Sequence, residues 1–161
     1  MEDNINEQIK SWACFSVISY GEYDDNGRYI SKEEDAFDPD EITHLLNTTP
    51  KYTRRYGERR SNSYDANNLY KSSKWSSDEI TDPPTDRNDL CYGIIQWLMP
   101  YEEQLISFKK THNVFYEIEI CIYISGNDIL IDSDMISFCS RTGIEIRFNT
   151  LLTTYANSDL V

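Results

Sequence analysis

The chain has 161 residues, with 28 Asp and Glu against 15 Lys and Arg, for a formal net charge of −13. That length suits one domain, and that charge opposes sequence-independent binding to nucleic acid while suiting a partner with a basic surface. A hydrophobic content of 39% with 13% aromatics is enough to build a core and excludes a disordered chain, although mean hydropathy is −0.61.

The N-terminus, Met1-Glu2-Asp3-Asn4, is acidic and lacks the basic and apolar regions of a signal peptide. No apolar run approaches the roughly 18–20 residues of a spanning helix. A soluble cytoplasmic protein is therefore expected. Trp12 to Tyr20 is apolar on both parities, which predicts a central strand covered on both faces.

The segment Glu22 to Glu33 follows. With Gly27 at the sixth position of a calcium loop, Glu22, Asp24, Asn26 and Glu33 occupy positions suited to oxygen ligation. Against this, the first ligand is Glu, a strand precedes the loop and no helix leaves it. A solvated turn at Asp25-Asn26-Gly27 explains the stretch better. Asp38-Pro39-Asp40-Glu41 then marks a helix start, with Asp38 as N-cap, Pro39 in the first turn and Glu41 closing a capping box. Ile42, Leu45 and Leu46 form its apolar stripe, and Pro50 sets its limit.

Lys51 to Arg60 is a basic run of five cations and one anion, interleaved with tyrosines. Phosphate contact with stacking is one reading. Compensation by the nine acids between Glu22 and Glu41 is the other, and it needs no nucleic acid. Short strands are expected near Lys51–Tyr56 and Lys74–Ser76. The rest of 57–88, rich in Ser, Asn, Asp and Tyr with Pro83-Pro84, reads as a mobile polar loop.

A helical pattern starts near Asn88-Asp89 and continues through Leu90, Ile94, Trp97, Leu98, Tyr101, Leu105 and Phe108. Pro100 lies inside it and predicts a kink or two abutting helices. Val114 to Ile124 alternates strictly and reads as a half-buried strand. A short helix from Ser133 ends at Gly143, and Ile144 to Phe148 alternates again. The halves echo one another as strand, glycine, polar loop, capped helix, strand. The expected fold is α+β: a mixed, mostly antiparallel sheet of about five strands, with three to four helices packed on it and pseudo-duplicated halves. A single domain over 1–161 with a core at 12–150 follows.

These residues resemble the domain-of-unknown-function 4279 family, found mostly in bacteria. The resemblance covers about Phe15 to Phe148. It is carried by Ser19-Tyr20-Gly21, Asp38-Pro39-Asp40-Glu41-Ile42 with Leu45-Leu46 and Pro50, Tyr56-Gly57-Glu58 and Lys74-Trp75-Ser76. The Leu90–Leu105 helix with Pro100 and Gly143-Ile144-Glu145-Ile146 complete it. The acidic stretch after Gly21 and the Ser/Asn-rich loop before Lys74 depart from the pattern. The resemblance implies a fold and carries over no catalytic residues. Such domains are similar to small proteins of bacterial toxin loci, immunity proteins among them.

No catalytic, cofactor or metal motif is present. The four cysteines, Cys14, Cys91, Cys121 and Cys139, are widely separated and read as reduced, inert thiols. His44 and His112 lie in or near helices without a nucleophile or ligand pattern beside them. The acidic surface is the strongest functional lead. One region holds Asp24, Asp25, Glu33, Glu34 and Asp35, and a second holds Asp78, Glu79 and Asp82. Tyrosines and Trp75 lie among them as aromatic anchors. The expected function is a non-enzymatic protein-binding module, most concretely an immunity protein that occludes a basic, nuclease-type toxin. The alternative is a small ligand-binding or enzymatic domain at Arg54, Arg55 and Trp75.

Overall fold

The computed structural model describes residues 11–61, 63–81, 90–123, 131 and 133–151. In chain order the elements are β1 (Trp12–Ser19), β2 (Gly21–Tyr23), β3 (Tyr29–Ser31), α1 (Pro39–Leu46), β4 (Tyr52–Arg54), β5 (Lys74–Ser76) and β6 (Ile80–Thr81). They continue with α2 (Leu90–Leu98), α3 (Glu102–Thr111), β7 (Val114–Tyr123), α4 (Ser133–Thr142) and β8 (Ile144–Leu151). Glu33–Asp35 and Met99–Tyr101 are 3₁₀ turns. The main sheet runs β4-β5-β1-β7-β8, with β6 also paired to β1, and β2 and β3 form a separate hairpin. Pairing is antiparallel except between β7 and β8. The fold is thus the α+β, mostly antiparallel mixed sheet that the alternation predicts.

Side-chain parity fixes which face is buried. Ala13, Phe15 and Val17 of β1 lie opposite Ile120, Ile118 and Tyr116 of β7. All of these are buried, as are Ile42 and Leu46 of α1, Ile94 and Leu98 of α2, Leu105 and Phe108 of α3, and Met135 and Phe138 of α4. The helices therefore cover one sheet face. Pro100 divides the long helical pattern where its missing N–H and ring clash with the preceding turn require, so α2 and α3 abut through the 3₁₀ turn. Asn88-Asp89, the expected start of that pattern, lie outside the described residues, as does Ile124 at the end of the β7 alternation.

The echo between the halves is visible with one difference. β7 and β8 are parallel neighbours joined through α4, whereas β1 and β4 are parallel but separated by β5. Ser76 pairs with Ser16 and Ile80 with Ala13, so residues 77–79 contain one extra residue and form a bulge. Buried serines join these strands. Ser19 Oγ contacts Ser31 Oγ at 2.7 Å and accepts from Ser73 N at 2.9 Å, while Ser77 Oγ accepts from Phe15 N at 3.0 Å. Within the polar middle, Tyr70 N donates to Glu58 O and Gly57 N to Tyr70 O, around an Arg59–Leu69 bridge.

Candidate functional site

Among the described residues the second sheet face carries no helix, and it is where charged side chains gather. Across four strands, Arg54 pairs with Lys74, Lys74 with Ile18, and Ile18 with Phe115. Register partners share a face, so these side chains form one row. A second row runs Tyr52, Ser76, Ser16, Glu117 and Glu145, and a third holds Cys14, Glu119 and Arg147. The expectation that β1 is covered on both faces holds at Ser16 and Ile18, whereas Cys14 is half-buried.

The β2–β3 hairpin forms a wall beside this face. Tyr29 Oη donates to the Ser19 carbonyl at 3.1 Å, and its ring lies 6.2 Å from that of Phe115 and 5.3 Å from that of Tyr23. Burial pushes the Tyr29 phenol up to about 12. Sheet and hairpin together enclose a groove of about 250 Å³, lined by Ile18, Tyr23, Tyr29, Arg54, Lys74, Phe115, Glu117, Glu119 and Arg147. Its electrostatics are divided. Glu117 is buried and pairs with Arg147 at 2.6 Å, and Asn149 donates to Glu119. Burial raises the Glu117 carboxyl, with Arg147 pulling the other way. Arg54 and Lys74 are in no ion pair among the described residues.

The basic run is otherwise engaged. Arg55 pairs with Asp38 at 3.0 Å, Asp40 at 2.7 Å and Glu58 at 3.6 Å. Lys51 pairs with Glu79 at 2.5 Å, and Arg59 donates to the Ser63 carbonyl at 2.9 Å. Compensation by the acids of Glu22–Glu41 describes Arg55, whereas Lys51 is paired by Glu79 outside that stretch. The three residues of the ligand-binding alternative therefore part company: Arg54 lines the groove, Arg55 joins the start of α1, and Trp75 enters the core.

The acidic residues fall in two places. Asp24 closes the β2–β3 turn, its Oδ1 accepting from Asn26 N at 3.0 Å and Arg28 N at 2.7 Å. Asp25 is exposed beside it. Glu33, Glu34 and Asp35 form the 3₁₀ turn, where Glu34 lies 3.8 Å from Lys32 and Asp35 accepts from Asn113 at 3.0 Å. Asp78 and Glu79 sit at the bulge, toward the other end of β1 and about 20 Å of strand away. Asp82 lies outside the described residues. Trp75 is fully buried, its indole N–H donating to Thr43 Oγ1 at 3.1 Å. It fills the core and presents nothing to a partner, because its parity on β5 matches Val17 and Thr53 on the helix-covered face. The exposed aromatic residues near the acids are instead Tyr20 at 51% and Tyr23 at 71% exposure.

The Glu22–Glu33 segment is a hairpin whose Asp24 carboxylate is spent on backbone N–H groups. No group of three or more His, Cys, Asp or Glu is set to hold a metal among the described residues. Cys14, Cys121 and Cys139 are free thiols, and burial pushes Cys14 up to about 11. His112 stacks on Phe108 at 4.0 Å and lies 3.5 Å from Glu41, and His44 Nδ1 is 2.7 Å from the Asp40 carbonyl.

An α+β domain with one sheet face under helices and the other open over a charged groove is the class these features define. The chain belongs to the family described as Domain of unknown function (DUF4279), whose model matches residues 27–153. No curated protein and no solved structure matches it. Among the described residues, no helix is long and apolar enough to cross a membrane.

Proposed function

We propose that the protein is a non-enzymatic cytoplasmic binding module for a basic protein, most concretely an immunity protein that occludes a nuclease-type bacterial toxin. The observation that carries this reading is the acidic surface around the β2–β3 hairpin. There Asp25 and Glu33 are exposed without an ion pair among the described residues, close in the chain to exposed Tyr20 and Tyr23. Opposite potentials steer the encounter and raise its rate. Aromatic rings then supply buried contact area. A toxin cleft built to hold phosphates is positive, and an acidic surface competes for the same cations. Asp24 holds the turn in shape through its hydrogen bonds to Asn26 N and Arg28 N, while Asp25, Glu33, Glu34 and Asp35 meet the partner. Asp78, Glu79 and Asp82 form a second contact on the same electrostatic logic.

Charge reversal tests the assignment. Replacing Glu33, Glu34 and Asp35 by Lys is expected to weaken a basic partner at least about tenfold and to flatten the salt dependence of association. Thermal stability should stay nearly unchanged, because surface substitutions stay within about 0.5 kcal/mol. Unchanged affinity would remove those residues from the interface.

A further inference from the structure

We propose that the groove on the open sheet face binds a small organic anion, its carboxylate or phosphate held by Arg54 and Lys74 and its flat apolar body resting on Phe115 and Tyr29. Arg54 and Lys74 are direct cross-strand partners, so two positive charges leave one face on adjacent strands about 5 Å apart. Like charges in that position repel, and no carboxylate lies within ion-pair distance of either among the described residues. Of the carboxylates that line the groove, Glu117 pairs with Arg147 at 2.6 Å and also feels the Lys74 charge, and Glu119 accepts from Asn149. Arg54 Nε is buried without a hydrogen-bond partner. Arg60 Nε, outside the groove, is orphaned likewise, and the Arg54 side chain also hydrogen-bonds Tyr52, so it is the pairing of Arg54 with Lys74 across the groove that marks the site.

The rest of the row supplies the other half of the recognition. Ile18 and Phe115 continue from Lys74 at the same level, and the Tyr29 ring stands edge-on to Phe115 at 6.2 Å. A planar body fits beside Phe115 and the Tyr29 ring, in a groove whose exposed lining is otherwise mainly polar. The cavity of about 250 Å³ falls under the roughly 300 Å³ at which drug-sized pockets begin, so the occupant is small. Arg54 presents a planar fork suited to both carboxylate and phosphate, and Lys74 a point charge suited to either. The groove shares Tyr23 and the hairpin wall with the acidic surface, but its cations, Arg54 and Lys74, lie on the sheet, so anion titration and partner capture read the two proposals separately.

The test is a titration of the isotope-labelled full chain by nuclear magnetic resonance with benzoate, phenyl phosphate, inorganic phosphate and neutral benzamide. Benzoate or phenyl phosphate should move the amide signals of Arg54, Lys74 and Phe115 saturably, and the tighter of the two identifies the head group. Benzamide should bind at least about tenfold more weakly, the weight of one charged hydrogen bond. Lys74→Met and Arg54→Met should each cost a similar factor, and Lys51→Met, outside the groove, none. Should Arg54→Met fail to fold, Lys74→Met carries the test, since the Lys74 side chain makes no hydrogen bond or ion pair among the described residues and the substitution leaves the backbone ladder intact. Phe115→Ala should weaken the aromatic anion and leave inorganic phosphate unaffected. No saturable shift up to about 10 mM, where a site of about 1 mM would be nearly full, would overturn the proposal. Benzamide binding as tightly as benzoate, or shifts confined to residues outside the groove, would overturn it too.

Discussion

Trp75 meets Phe15 edge-on at 6.4 Å, and Phe15 meets Trp97 and Tyr116 at 6.4 and 5.7 Å, so one aromatic cluster joins β5, β1, α2 and β7. Trp75→Ala should cost about 3–5 kcal/mol, through lost burial and the cavity left behind, measured by denaturant unfolding. A cost under about 1 kcal/mol would show that the ring is not in the core. Gly143 ends α4 at φ 67°, and a Cβ there would lie 2.5 Å from Lys109 Nζ, which donates to the Gly143 carbonyl at 2.8 Å. Gly143→Ala should therefore destabilise by about 1–2 kcal/mol. Glu117 shows a linkage of opposite sign to most carboxylates. Burial raises its folded pKa above 4.5, so the folded state holds the proton more tightly than the unfolded chain. Its stabilising contribution is complete below pH 4.5 and is lost as pH rises through the folded value. Glu117→Gln should accordingly raise the melting temperature at pH 7 and lose that advantage toward pH 4. Arg147, 57% exposed, can return to water when its partner is gone. A lower melting temperature for the variant at pH 7 would mean that the ion pair outweighs the burial.

At the scale of elements, the start and apolar stripe of α1 were legible because their signals are local, while its end at Asn47 was bounded only by Pro50. Asp38 Oδ1 accepts from Asp40 N at 3.0 Å, Glu41 closes the capping box, Pro39 sits in the first turn, and Asn47 ends the helix in the left-handed region. Asp38→Ala should cost about 1 kcal/mol by chemical denaturation. The Asp40 N–H and then Arg55 hold the Asp38 carboxyl below its ordinary 3.8. The stability it adds is therefore present at neutral pH and lost as pH falls through the folded value, and the Asp38→Ala difference should shrink in acid. The Pro100 break, the α4 stop at Gly143 and the β7 alternation were equally local. What was hidden depends on partners distant in the chain. Lys74-Trp75-Ser76 reads as a strand, but nothing near it says that it enters between β1 and β4, or that this insertion turns Trp75 inward. The one-residue bulge at 77–79 is set by β1, and the Ser19 contacts reach Ser31, 12 positions away, and Ser73, 54 positions away. A serine in a polar stretch gives no sign of such burial.

Across the whole molecule, the net charge of −13 is spread unevenly. Helices take one sheet face, the hairpin and 3₁₀ turn display Asp25 and Glu33 without an ion pair among the described residues, and the other face gathers Arg54 and Lys74 beside Phe115. Composition made the acidic surface visible at once, because counting needs no geometry. The groove escaped sequence reading because its rows combine residues from β4, β5, β1, β7 and β8, and Arg54 is indistinguishable from Arg55 until the sheet register separates them. The central proposal is that the acidic hairpin surface binds a basic protein. The measurement that bears on it most directly is affinity capture of the tagged chain from a lysate of its own cells, at low and then moderate salt, beside the Glu33, Glu34 and Asp35 to Lys variant. A stoichiometric, small, basic partner retained by the native chain at moderate salt and lost by the variant is the predicted result. An empty capture, or equal retention by both chains, would contradict it.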